Sequence, residues 1–189
     1  MRRKIMQEMR TWKETSSGKT ALLIDGARRV GKSYIAEAFA KENYKSYILI
    51  DFNQAGEEVR NLFDHYLMNL DTFFMYLSAI YGVRLYPGES LIILDEIQMF
   101  PRARAAIKYL VADGRFHYIE TGSLVSIRKN VEDIVIPSEE RHIKMYPMDF
   151  EEFLWAMSEE PLIDVIKTNY EQKKPMGQTL HRKCMILFR

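Results

Sequence analysis

Eight consecutive residues constrain this chain more than any others. Gly26-Ala27-Arg28-Arg29-Val30-Gly31-Lys32-Ser33 satisfies G-x-x-x-x-G-K-[ST] at every fixed position. Glycines let a backbone curl so that successive N–H groups point inward as an anion nest. A helix starting directly after such a loop adds the partial positive charge of its N-terminus. A lysine placed like Lys32 reaches the outer phosphates of a nucleotide, and a hydroxyl placed like Ser33 ligates Mg²⁺. At ordinary residue frequencies, a chance match in a chain of 189 residues has odds on the order of one in two hundred. The flanks also fit. Ala21-Leu22-Leu23-Ile24 reads as a buried strand too short for a helix, and Lys32 to Lys41 as a helix with Ile35, Ala36, Ala38, Phe39 and Ala40 facing a core. Residues 26–33, with Tyr34 after them, are therefore the candidate binding site for a nucleoside triphosphate. Arg28 and Arg29 stand at unspecified positions and are read either as solvated side chains or as sensors of a phosphate or a neighbouring subunit.

A second segment completes the chemistry. Leu91-Ile92-Ile93-Leu94-Asp95-Glu96 is an aliphatic strand that ends in two carboxylates, which makes sense where the strand end opens onto a ligand crevice. Asp95 is the expected Mg²⁺ ligand beside Ser33, and Glu96 the group that orients or deprotonates an attacking water. Asp95 follows Lys32 by 63 residues, room for one strand and two helices. A glutamate beside the aspartate argues for hydrolysis over transfer to a bound acceptor. No Asn-Lys-x-Asp or Thr-Lys-x-Asp segment reads guanine, so ATP is favoured. Tyr118 to Ser123 ends a further strand in small hydroxyl residues, and either Thr121 or Ser123 could contact the γ-phosphate. Arg141 could neutralise charge on the transferring phosphoryl group, in its own chain or a neighbour's, or simply pair with Glu139 and Glu140.

The remaining pattern alternates strands and helices and predicts an α/β fold with a largely parallel sheet. Strands are expected over residues 44–52, 90–97, 116–121 and 142–146, and helices over 3–12, 57–66, 71–81 (capped by Asp71), 101–112 and 149–156 (capped by Asp149). Residues 124–138 read as loop with a short helix. Hydrophobic residues at 47% and charged residues at 28% exclude a disordered or fibrous chain. Lys+Arg 27 against Asp+Glu 26 leaves no global field to recruit nucleic acid or an anionic membrane. A single cysteine, Cys184, rules out an internal disulfide and suits a reducing, cytoplasmic setting. Apolar runs stay far below the ~20 residues that span a bilayer, so no membrane partner is expected. His65, His117, His142 and His181 lack metal-ligand spacing.

With these residues in view, the chain resembles the AAA+-type P-loop ATPases of bacteria and archaea. Among them it is similar to the family with an N-terminal AAA domain and a C-terminal domain of unknown function. The resemblance rests on residues 24–33, on Leu94-Asp95-Glu96-Ile97-Gln98, on Thr121-Gly122-Ser123, and on Tyr146-Pro147-Met148-Asp149-Phe150-Glu151-Glu152-Phe153. It implies a three-layer P-loop NTPase sandwich with a mainly parallel five-stranded sheet in the order 5-1-4-3-2. It further implies ATP and Mg²⁺ as ligands, with sensor and finger roles near Thr121, Ser123 and Arg141. Two departures stand out: relatives commonly carry Gly-Arg where this chain has Glu140-Arg141, and they continue well past residue 189.

The expected organisation is an ATPase domain over residues 1–157, followed by the start of a truncated C-terminal region or a partner-binding helix over 158–189. Leu180, Cys184, Leu187 and Phe188 form a helical stripe there, expected to lack cover and to favour disorder or self-association. Lys173, Lys174, Arg182, Lys183 and Arg189, with no acid among residues 172–189, keep DNA open as a partner, although a solvated face explains them equally. The reading is an ATPase that couples hydrolysis to a conformational change on an unknown client. A nucleotide-operated switch or scaffold with negligible turnover is the alternative, as is a small-molecule kinase, against which Glu96 counts.

Overall fold

The computed structural model describes residues 2–123 and 139–187. The expected loop and short helix at 124–138, and Phe188 of the apolar stripe, lie outside them.

The short apolar runs pair into one parallel sheet. β1 (Ala21–Gly26), β2 (Ser46–Asp51), β3 (Ser90–Asp95), β4 (His117–Gly122) and β5 (Glu140–Met145) lie in the order β2-β3-β4-β1-β5. This is the 5-1-4-3-2 order that the resemblance implies, counted from the other edge. Parallel neighbours need crossovers, and the helices supply them. α1 (Ile5–Ser16) precedes β1, α2 (Lys32–Asn43) joins β1 to β2, and α3 (Glu57–His65) and α4 (Leu70–Tyr81) join β2 to β3. A 3₁₀ turn (Ile97–Met99) and α5 (Pro101–Asp113) join β3 to β4. β1, β3 and β4 are buried at every residue, as strands covered on both faces must be.

Because side chains alternate across a strand, the sheet builds two cores. Leu23, Ile50, Leu94 and Tyr118 pack with Phe63, Phe73 and Leu110 of α3, α4 and α5. Leu22, Ile24, Ile93 and Ile119 pack with Met9, Trp12 and Phe39 of α1 and α2. Each such side chain contributes about 1.5–3 kcal/mol when fully buried.

Several boundaries differ from the sequence reading: α1 runs on to Ser16 and α2 to Asn43, and three others have an identifiable cause. α4 is capped by Asn69, whose side chain accepts from the Thr72 N–H at 3.1 Å, while Asp71 sits one residue inside the helix and pairs with Arg115 at 2.6 Å. β3 stops at Asp95 because Glu96 turns into the left-handed region at φ 53°. β5 begins at Glu140, two residues early, because Glu140 and Arg141 align with Ala21 and Leu22 of β1. Charged residues disguised that strand start as loop.

Glu140 belongs to a buried charge cluster. Arg104 of α5 reaches Glu120 of β4 at 2.7 Å and Glu140 at 2.9 Å, with all three side chains at most 1% exposed. His142 Nε2 lies against the other oxygen of Glu140. One guanidinium faces two carboxylates away from water, so desolvation first and the Glu140 charge second push Glu120 up to about 8, against Arg104.

The chain divides into two units, Lys4–Pro147 and Met1–Arg3 with Met148–Arg189. The second contains α6 (Phe150–Ala156), α7 (Glu160–Glu171) and α8 (Gln178–Leu187). Asp149 caps α6 as expected, in a reciprocal capping box with Glu152. Arg3 pairs with Glu152 at 3.2 Å, both buried, and Arg2 lies over the Trp155 ring at 4.1 Å. The expectation of an uncovered stripe is corrected here: Cys184, with Leu180 and Leu187 beside it, packs against Leu154, Leu162 and Ile163. A short helical hairpin upstream supplies cover that residue spacing in the tail alone does not reveal.

The buried cluster sets a pH dependence. Glu120 holds its proton more tightly folded than unfolded, so its contribution to stability is present below the ordinary carboxylate range and is lost as pH rises toward about 8. In thermal melts, Glu120→Gln should flatten that part of the decline relative to wild type. Arg104→Met removes the cation that faces both buried acids, leaving Glu140 without its arginine and Glu120 without its hydrogen-bond donor, and should cost about 3–5 kcal/mol at neutral pH.

Candidate functional site

Parallel sheets place ligands at the carboxyl ends of their strands, and there the two sequence motifs meet. β1 ends at Gly26, the loop runs through residue 31, and α2 begins at Lys32. Gly31 has φ 93° and Arg29 φ 65°, so the loop takes two residues through the left-handed region to turn into the helix. Gly26 is glycine for a reason unrelated to phosphate: a Cβ there would lie 2.2 Å from the Met145 carbonyl oxygen of β5.

The side chains converge. Lys32 is buried, and its Nζ donates to the carbonyls of Gly26 at 3.0 Å and Ala27 at 2.9 Å. Ser33 Oγ donates to Asp95 Oδ1 at 2.7 Å, joining the loop to the end of β3. Thr121 Oγ1 donates to the same Asp95 oxygen and accepts from the Glu96 N–H at 3.2 Å. The Gln98 amide donates to Glu96 Oε2. Burial raises the Asp95 carboxyl pKa; the Thr121 and Ser33 hydroxyls oppose this, and the Glu96 and Asp51 charges add to it.

Lys32, Ser33, Asp95, Glu96 and Thr121 are thus brought together as the sequence anticipates. Thr121 is engaged with Asp95 and the Glu96 backbone rather than presented alone, and Ser123 lies half-buried just beyond β4. Ala27, Arg28 and Arg29 are exposed, Val30 is half-buried, and Tyr34 is 54% exposed.

Arg141 is not brought to this site. It aligns with Leu22, four residues before Gly26, about 13 Å back along the strand. Its guanidinium lies 3.4 Å from the Thr15 hydroxyl of α1. Two residues of the site carried no role in the sequence reading. Gln98 stands within the quoted Asp95–Gln98 segment, so its offset from Glu96 was visible but its contact was not. Asp51 aligns with Asp95 across the β2–β3 ladder, a pairing no local pattern encodes.

The donor set suits a hard cation, since Ser33 and Asp95 offer only oxygens. No group of three or more His, Cys, Asp or Glu among the described residues could hold a metal alone. A cation here would rely on phosphate oxygens and water to complete its shell, the usual arrangement for Mg²⁺ with nucleotides.

The AAA domain family matches residues 18–154, from the turn before β1 to α6. The chain belongs to the AAA+ P-loop ATPase family. That membership carries nucleotide-binding ATPase activity at the level of the family. Among solved structures, Aeropyrum pernix Orc1 in complex with DNA is 14% identical with a TM-score of 0.51, covering 85% of this chain and 50% of its own. C. elegans PCH-2 is 13% identical with a TM-score of 0.42, covering 88% and 46%. Drosophila ORC bound to AT-rich DNA and Cdc6 is 12% identical with a TM-score of 0.45, covering 97% and 76%. At such identities the Orc1 likeness speaks for the fold alone, and this AAA+ chain spans half of that protein. No curated protein matches the chain. No helix among its described residues is long and apolar enough to cross a membrane.

The Gly26 contact separates packing from ligand chemistry. Gly26→Ala forces the β5 backbone to move and should destabilise the protein by about 1–3 kcal/mol. Gly31→Ala meets nothing nearer than Met145 Cε at 3.7 Å and bears only the cost of its backbone angle. Thermal melts without nucleotide should therefore rank Gly26→Ala below Gly31→Ala.

Proposed function

We propose that this chain binds ATP with Mg²⁺ at the 26–33 loop and hydrolyses it, coupling turnover to a conformational change on a client, in a cytoplasmic setting. The observation that carries the reading is the meeting of Ser33, Asp95 and Thr121 on one carboxylate oxygen, beside Glu96 and the lysine of the loop. Ser33 and Asp95 would hold Mg²⁺, whose bound charge favours ionised Asp95 despite its burial. When present, the ion neutralises charge on the phosphate oxygens.

Each side chain then has a distinct task. Lys32 offers its ammonium to phosphate oxygens in place of the loop carbonyls it now contacts. Glu96, next to Asp95 and outside the ladder, takes the proton of the attacking water. Gln98 fixes the carboxylate that does so. Thr121 ties both acids to the end of β4, with Ser123 beyond it. Arg141 acts, if on any nucleotide, on that of a neighbouring chain, since its own loop lies at the far end of the strand.

One observation favours the alternative of a slow switch: Lys32 and the Glu96 carboxylate are both engaged by groups of their own chain. Turnover rates decide between the two. DNA is not advanced as a partner, since Lys183 of the basic segment pairs with Glu159.

Lys32→Ala should abolish binding of a fluorescent ATP analogue while the fold, checked by circular dichroism, stays intact. Unchanged affinity would remove the site assignment. Glu96→Gln should still bind ATP yet hydrolyse it ~10²–10⁴-fold more slowly; hydrolysis at the wild-type rate would make Glu96 structural. Asp95→Asn should lose the Mg²⁺ dependence of binding in a magnesium titration.

A further inference from the structure

The loop presents two cations that the chemistry above leaves idle. Arg28 and Arg29 are exposed, and among the described residues neither side chain forms an ion pair or hydrogen bond. Other arginines of this unit are committed: Arg10 to Glu42, Arg102 to Asp64, Arg115 to Asp113 and Asp71. Arg29 moreover sits at φ 65°, where glycine is at ease and a residue with a Cβ is strained. Strain of this kind persists at functional sites when the side chain is needed there. No ion pair or hydrogen bond among the described residues accounts for an arginine at this position.

The charge balance says what it is for. The wall opposite the loop carries Asp95 and Glu96, with Asp51 alongside. These acids repel a polyphosphate, and Lys32 is the one cationic side chain of the chain assigned so far to offset them beside the proposed Mg²⁺. Arg29 is three residues from both Gly26 and Lys32, at the apex of the loop, and its planar fork suits two phosphate oxygens at once.

We propose that Arg29, assisted by Arg28, reads the length of the polyphosphate, so that the site prefers a nucleoside triphosphate over the diphosphate. This rests on the nucleotide-binding reading above. The fork gains most from the terminal phosphate, which carries the most charge and is absent from the diphosphate.

The test is the ratio of affinities for fluorescent ATP and ADP analogues, measured by titration in the full chain. Arg29→Ala keeps a strained backbone and removes the guanidinium. It should weaken ATP about tenfold, as expected for loss of one charge-assisted contact, and ADP less than about threefold. Arg29→Gly removes strain and guanidinium together; it should show the same collapsed ratio while melting no lower than wild type. Arg29→Lys should fall between, and Arg28→Ala should shift the ratio in the same direction by a smaller factor. An unchanged ratio in Arg29→Ala, with wild type binding both analogues and Lys32→Ala binding neither, overturns the role of Arg29 alone. ATP affinity restored in Arg29→Gly but not in Arg29→Ala also overturns it, since the backbone and not the guanidinium would then matter. A wild-type chain that binds neither analogue overturns the nucleotide site itself, and this proposal with it.

Discussion

A single carboxylate oxygen, Asp95 Oδ1, joins three strand ends. Ser33 brings the loop that follows β1, Thr121 brings β4, and Asp95 itself closes β3. Because these strands are buried on both faces, nothing along their length can be polar at low cost, and the polar chemistry gathers where they stop. The site geometry follows from the sheet order. β4 lies between β1 and β3, so a hydroxyl at its end reaches across to the acid.

The opposite cost appears one strand away. β4 and β5 carry Glu120 and Glu140 into the interior, where Arg104 reaches both. Breaking such a cluster is far more damaging than replacing it whole with apolar groups. Its neighbours in sequence are Thr121 and Arg141, so the residue that tethers Asp95 and the arginine set against α1 each adjoin a member of the buried cluster. The same pairing that anchors β5 places Arg141 toward its beginning, remote from the phosphate loop.

Ser17, Ser158 and Lys173 take positive φ beside helix ends, and two further non-glycine residues do so at the site. Arg29 and Glu96 both take positive φ, one at the apex of the loop and the other directly after the β3 ladder. At Glu96 the turn ends the strand, and Gln98 two residues later meets its carboxylate. At Arg29 no ion pair or side-chain hydrogen bond among the described residues offsets the strain, and this separates a residue held for geometry from one held for what it presents to solvent.

Much of this was legible in the residues alone. The phosphate loop, the aliphatic strand ending in Asp95 and Glu96, and the alternation of strands and helices are local patterns, governed by backbone freedom, side-chain periodicity and capping within a few residues. They determined the fold class and which groups could carry the chemistry. The family resemblance supplied the strand order, which the ladders bear out. Other features came only with the tertiary structure: that Gly26 is required by the Met145 carbonyl, that Glu120 and Glu140 share Arg104, that Asn69 rather than Asp71 caps α4, and that Cys184 is covered by α6 and α7. Each depends on partners brought together from elsewhere in the chain, or on a backbone angle at one residue. Arg141 shows the limit most clearly. Its charge was plain in the sequence, but its distance from the phosphate loop depends on the register of β5 against β1, where sliding by one residue would turn every side chain to the opposite face.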